Sequence, residues 1–552
     1  MITDYIKENN GNEYVAGIDY VHPEYEYFAP LWQKARDVIA GQDEMKRIVK
    51  REKYLPRLGG HTSTPDGNAD YNAFVGYAML YNATGRTVEA YRGLLNRKLP
   101  VVSIPETVKG LINDFTIKSE SIYTFIEQVE TEIVTTNRVG IFIDHPFTAN
   151  KAMTKAEVTT KNIAPYATLY TAECITNWEE TRTNNKIVTS LVVLKETEYR
   201  RINSFAPTEM VTYRVLELDG QGKYRQVILE PVATGNYAGQ QLQYSIKQII
   251  YPKRNGEYLT EIPFYPVTAQ GITWELSKSV IHDLVNINIA HYRDTAFYEK
   301  AIAWTASPTA VFSGLPEDTQ DVAIGSSQAL TIAMGGTAKY LEYEGKGLQD
   351  IAEGLTKKEE LMAILGAKIL ANTANGIESG EAAMIHRAGE QGILADIATT
   401  VGGAIEKALR YIIHWGGTKV SDDNIKVDIT KDYTPTIIDA NTIVALSAEL
   451  QKGHISDVTY FEALKRGEIM EPTRTVDEEK SLIKKYRKGT VMGKDATVTY
   501  LDKDKFDDIL GREEDLIDMK KSTPATGTGT GTGTTEGAVD TGAVKGIDNK
   551  AK

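Results

Sequence analysis

Glu378 and Glu381 stand three residues apart in the stretch ANTANGIESGEAAMIH, a spacing that could offer two carboxylates to a hard cation. The plainer reading is that Glu381 favours the N-terminus of the helix behind it, where an acid meets the positive end of the dipole. His282 and His291 are nine residues apart, about 180° around a helix, so they cannot share a ligand and read as packing histidines. The eight histidines are otherwise scattered, and no H-E-x-x-H occurs. A phosphate cradle requires G-x-x-x-x-G-K-[ST]; GKDA at 493 and GKGL at 345 lack both the upstream glycine and the hydroxyl residue. The TGTG repeats near the C-terminus have glycines but neither a lysine nor a following helix. A single cysteine, Cys174, can form neither an intrachain disulfide nor a thiolate metal site. Thirty tyrosines could stack on bases, but their even spread reads as core edges and subunit contacts. These residues imply no catalytic site, no bound metal and no cofactor.

Composition narrows the field further. At 552 residues the chain should fold as two or more packed regions, and its 41% hydrophobic and 25% charged content is that of a globular protein. The polar, acidic start MITDYIKENNGNEY is not a signal peptide, and no run of 18 apolar residues suggests a membrane span. The lone cysteine fits assembly in a reducing cytoplasm. A net charge of −13 disfavours a protein that grips duplex DNA by its phosphates, since such grip depends on Lys and Arg releasing counterions. It does not disfavour a conduit, where adhesion would obstruct sliding.

The elements that must position any site follow from periodicity. A helix is expected over 28–39, with Leu31, Ala35 and Val38 on one face and Gly41 as its stop. A second helical region covers 70–98, closed by Pro100, and a third lies within 107–140. Strands follow at 139–146, 186–199, 210–220 and 224–232, all rich in β-branched and aromatic residues, forming a β-rich block over 139–270. Helix returns at 275–306, roughly 48 Å long at 1.5 Å per residue. It bears two apolar stripes, Val280, Leu284 and Ile287 on one and Ile281, Val285 and Ile289 on the other, so it wants neighbours on two sides. Pro308 ends it; 309–345 reads as small strands and turns, and 348–371 as helix again. Gly376 and Gly380 make 372–380 a loop. A long helix then runs to Trp415, with Leu394, Ile397, Val401, Ala404, Ala408, Tyr411 and Trp415 on one face and Gly416-Gly417 as the stop. A strand at 424–430 precedes a helical end in which Ser456 serves as an N-cap. Residues 503–521 are highly charged, and the low-complexity last thirty residues supply too little apolar surface for a core, so the tail is expected to be disordered.

This order of elements resembles the portal proteins of tailed bacteriophages. So does the text: HPEY, W-x-x-x-R-D at Trp32, Arg36 and Asp37, YLPRL at 54–58 and NATGRTVEAYRGLLNRKLP at 82–100. CITNW at 174–178, LKETEY at 194–199, LVNINIAHYRDTAFYEKA with ASP within 284–308, and the helix over 381–415 continue it. Each motif alone is weak, but together they span about 20–490.

The resemblance implies an α+β portal fold in a dodecameric ring. Its wing would occupy 1–276, the first stem helix 277–308, the clip 309–345 and the second stem helix 346–371. A tunnel loop would follow at 372–382, a long helix with the wing return at 383–435 and a crown at 436–490, with 491–552 as charged segment and tail. Asn372, Thr373, Ala374, Asn375, Gly376, Ile377, Glu378, Ser379, Gly380 and Glu381 would line the channel constriction. Val311, Phe312 and Leu315 would belong to the surface that docks the terminase motor. The implied partners are further copies of the chain, terminase, the major capsid protein, head-completion and tail proteins, and duplex DNA passing non-specifically. No membrane is implied; the place is a capsid vertex of the virion, after assembly in the host cytoplasm. A capsid or tail subunit without a channel, or less readily a packaging enzyme, are the competing readings.

Overall fold

A computed structural model describes residues 6–9, 12–146, 157, 163–183, 185–201, 205–232, 243–306, 309–313, 334–341, 347–366, 380–431, 433, 440–467, 469–471 and 474–486. The chain is an α+β protein in two compact units, residues 1–435 and 436–552.

The larger unit is built around two antiparallel sheets. The four-stranded one runs in the order Gly271–Ile272, Phe264–Thr268, Val139–Asp144, Tyr166–Thr171. Every residue of Val139–Asp144 is buried, because helices Ile122–Thr136 and Gly380–Trp415 also pack on it. Gly140 lies opposite Pro266, and a Cβ there would fall 2.2 Å from the Phe264 ring, so the close approach requires glycine. The second sheet is a five-stranded meander ordered Tyr244–Ile250, Tyr224–Pro231, Pro207–Leu218, Lys186–Arg201, Ile175–Thr183. Strand alternation splits its side chains. Val192, Leu194 and Leu216 join the main core, while Val193, Val215, Val227 and Leu229 form a smaller core with Val15 and Ile18.

Several expected elements have different bounds. The first helix is Pro23–Ala40, stopped at Gly41 with φ +99°. The region 70–98 is two helices, Pro65–Tyr77 and Ala83–Leu95, because the Asn82 side chain caps the second by accepting from Gly85 N at 2.9 Å. Within 107–140 the α-helix is Ile122–Thr136, preceded by a 3₁₀ segment, Glu106–Ile112. The strand near 424–430 is Lys426–Asp428, paired with Val101–Ser103. In the smaller unit the described helices are Ala440–Gln451, Asp457–Arg466 and Val476–Tyr486, and the Ser456 side chain accepts from Thr459 N at 3.2 Å as an N-cap should.

Candidate functional site

The element that stands out is an arm of two antiparallel helices, His282–Ala306 and Leu348–Leu365, with the strand pair Thr309–Ser313 and Thr337–Leu341 between them in sequence. The first helix begins at His282 rather than 275 or 277. Long-range bonding fixes the preceding segment in a non-helical path: Asn137 donates to Ser277 Oγ at 2.6 Å, and Trp274 stacks on Phe264 with centroids 5.6 Å apart. The helix is therefore about 37 Å long, from 25 residues at about 1.5 Å each. The second ends at Leu365, short of 371, with Gly366 as its C-cap; a Cβ there would sit 2.8 Å from both Met362 O and Thr87 Oγ1.

Polar side chains fasten the base of the arm to the body. Asn288, fully buried, accepts from Thr84 N at 3.2 Å and Thr84 Oγ1 at 2.9 Å and donates to Tyr81 O at 2.7 Å. Arg293 donates to Tyr54 O at 2.7 Å, and Thr295 donates to Met79 O at 2.9 Å. The two helices are tied to each other by His291 with Glu359, 3.2 Å apart, and by Lys358 with Asp294. The motifs at 54–58, 82–100 and 284–308 thus interlock, since each contributes one side of these bonds. The W-x-x-x-R-D motif is likewise structural: Arg36 pairs with Glu132 and Glu173, and buried Asp37 accepts from Lys50 and Tyr54.

Ile281, Leu284, Val285 and Ile289 are buried within the single chain, whereas Val280 and Ile287 are half-buried. Much of both apolar stripes is therefore spent on the chain's own body. The apolar surface left open lies elsewhere on the arm. Trp304 is 58% exposed and Ile364 53%, and Phe297, Ile302, Tyr340 and Leu361 are exposed as well. Periodicity could not show this, because it does not reveal which apolar face the body takes.

Of the residues assigned to terminase docking, Val311 is exposed and Phe312 half-buried on one strand, opposite Lys339 and Ala338. Leu315 lies outside the described residues, as do Asn372, Thr373, Ala374, Asn375, Gly376, Ile377, Glu378 and Ser379. Gly380 and Glu381 belong to the backbone of the Gly380–Trp415 helix, not to a loop that continues to 382. Glu378 falls outside the described residues, so the spacing that suggested a cation is not placed. Among the described residues no three His, Cys, Asp or Glu gather as a metal site would require, and no helix is long and apolar enough to cross a membrane.

A family model described as "Domain of unknown function (DUF4055)" matches residues 281–416, from the turn that opens the arm to the glycine that ends the long helix. No curated protein matches the chain. A chain in the solved structure "Neck of native GTA particle computed with C12 symmetry" is 9% identical, with a TM-score of 0.36, over 69% of this chain and 89% of its own. Another, in "Neck of empty GTA particle computed with C6 symmetry", is 10% identical at a TM-score of 0.35, over 76% and 98%. Likenesses this loose carry no functional argument.

Proposed function

We propose that this chain is a portal subunit, a structural protein rather than an enzyme, forming a ring of twelve at one capsid vertex through which DNA is packaged and ejected. The observation that carries the reading is the arm: two antiparallel helices rooted in an α+β body by buried hydrogen bonds, with open apolar side chains along the remainder. Among the described residues of one copy Trp304, Leu361 and Ile364 stay open, and neighbours around an axis would cover them. The sequence motifs that resemble portal proteins are the same ones that build this root. In this reading the 309–345 region docks terminase and later the head-completion proteins, and the 372–382 segment meets the DNA.

Two-dimensional class averages of the purified particle, together with particles from infected cells, test the proposal. A closed twelve-fold ring with an axial pore is expected. A lattice or a six-fold tube would overturn it.

A further inference from the structure

Several cations of the packed body are paired within it: Arg36, Lys50, Arg57, Arg214 and Arg225 each meet a carboxylate. Four at the root of the arm do not. Lys34, Lys53, Lys278 and Arg293 form no ion pair among the described residues, in a chain carrying 75 acidic side chains against 62 basic ones. They come from four separate segments: Lys34 and the Lys53 backbone are hydrogen-bonded to the helix that carries Arg293, and Lys278 lies near enough to act on Lys34 and His282 by its charge. Lys34 Nζ donates to Asn286 Oδ1 at 2.7 Å, and Arg293, besides its bond to Tyr54, donates to Lys53 O at 3.4 Å. His282, Asn286 and Arg293 share a stripe, since eleven residues bring a helix back to within about 20° of its starting direction. Burial, and then the charges of Lys53, Lys278 and Arg293, hold the Lys34 amine below its usual value, as mutual repulsion requires.

The side of this helix that pairs with its partner helix, through His291 and Asp294, lies well over a quarter-turn from that cationic stripe. The partner helix, in turn, buries Leu355 and Met362 and exposes Asp350, Glu353, Lys357 and Glu360 on its far face. Cations of the body and of the arm's root therefore lie on one side of the helix pair, and a mostly acidic face of the partner helix lies on the other. A face that meets its own copy across a two-fold axis must complement itself, whereas a head-to-tail ring needs two unlike faces on opposite sides of each subunit.

We infer that the Lys34, Lys53, Lys278 and Arg293 face of one copy docks against the Asp350, Glu353 and Glu360 face of a second copy, setting the register of a head-to-tail ring. This rests on the ring reading above and names the surfaces that would form it. The occupant is a second copy because the complementary charge lies on the opposite side of the same helix pair.

The test uses the full chain and charge reversal at exposed positions. The cationic-side variant is Lys53→Glu with Lys278→Glu, the acidic-side variant is Asp350→Lys with Glu360→Lys, and the third carries all four changes. Circular dichroism checks the fold, and sedimentation from low to high salt reads the concentration at which rings form. Each one-sided variant should require about tenfold more protein to assemble at low salt, and the four-fold variant should recover most of that loss. One-sided variants that assemble like the parent, or a four-fold variant no better than either, would overturn the docking while leaving the ring intact. Monomer at every concentration and salt for the unmodified chain, in particles as well, would instead defeat the ring reading itself. If the cationic-side variant assembles normally but binds duplex DNA less well, the face is a phosphate contact and the second-copy assignment is wrong.

Discussion

The guanidinium of Arg138 lies 4.1 Å from the ring centroid of Trp178, with Trp32 and Trp274 at 5.5 and 5.9 Å. Its two terminal nitrogens have no hydrogen-bond partner among the described residues, and burial pulls its pKa down to about 9 against the opposing charges of Tyr25, Glu24 and Glu173. Cation–π attraction offsets only part of the cost of removing such a charge from water. Arg138→Met should fill the same aromatic cage without that cost and leave the denaturation midpoint equal or higher. Arg138→Ala should lower stability by about 3 kcal/mol through the cavity it opens. A Met variant as unstable as the Ala variant would show that the charge itself is needed.

Glu130 is fully buried on helix Ile122–Thr136, with one carboxylate oxygen accepting from Asn96 Nδ2 at 2.9 Å. Burial, reinforced by the charge of Glu127 and opposed by the Asn96 bond, raises its pKa from 4.5 to about 8. The folded chain keeps this proton where the unfolded chain has lost it, so Glu130 makes stability decline as pH rises from about 4.5 to about 8. Glu130→Gln should flatten that slope and stabilise the chain at pH 8 by about 1 kcal/mol or more. Urea midpoints at pH 5.5 and pH 8 measure it; an unchanged slope would rule Glu130 out as its source.

Asn288→Ala removes the partner of the Thr84 amide and hydroxyl and of the Tyr81 carbonyl, all at the root of the arm. Leaving these groups unpaired should cost about 3 kcal/mol. Thermal unfolding reads the loss, and amide exchange should quicken in His282–Ala306 ahead of the Val139–Asp144 strand. Uniform loosening of both would mean that the arm does not depend on this residue in particular.

Under the proposed function, Glu378→Lys should spare ring assembly yet impair DNA packaging or retention. Twelve added cations would create phosphate contacts, so the defect should ease as salt rises. A virus with this change that packages and keeps a full genome normally would remove the segment from the mechanism.

Much of the architecture was already written in local pattern. The stripe Leu394, Ile397, Val401, Ala404, Ala408, Tyr411 and Trp415 is buried along its whole length, and Ser456 caps its helix, because burial and capping both repeat at helical spacing. The β-rich block appears where β-branched and aromatic residues alternate. What periodicity cannot carry is the partner of a side chain far along the chain. Asn288 bonds residues 204 and 207 positions away, and Ser277 is held by Asn137, 140 positions away. Those bonds decide where the arm begins and how much of its apolar stripes the body takes, and therefore which surface stays exposed. Tertiary structure settled these points because each depends on distant groups meeting at hydrogen-bond distance, and no local repeat in the sequence records such a meeting.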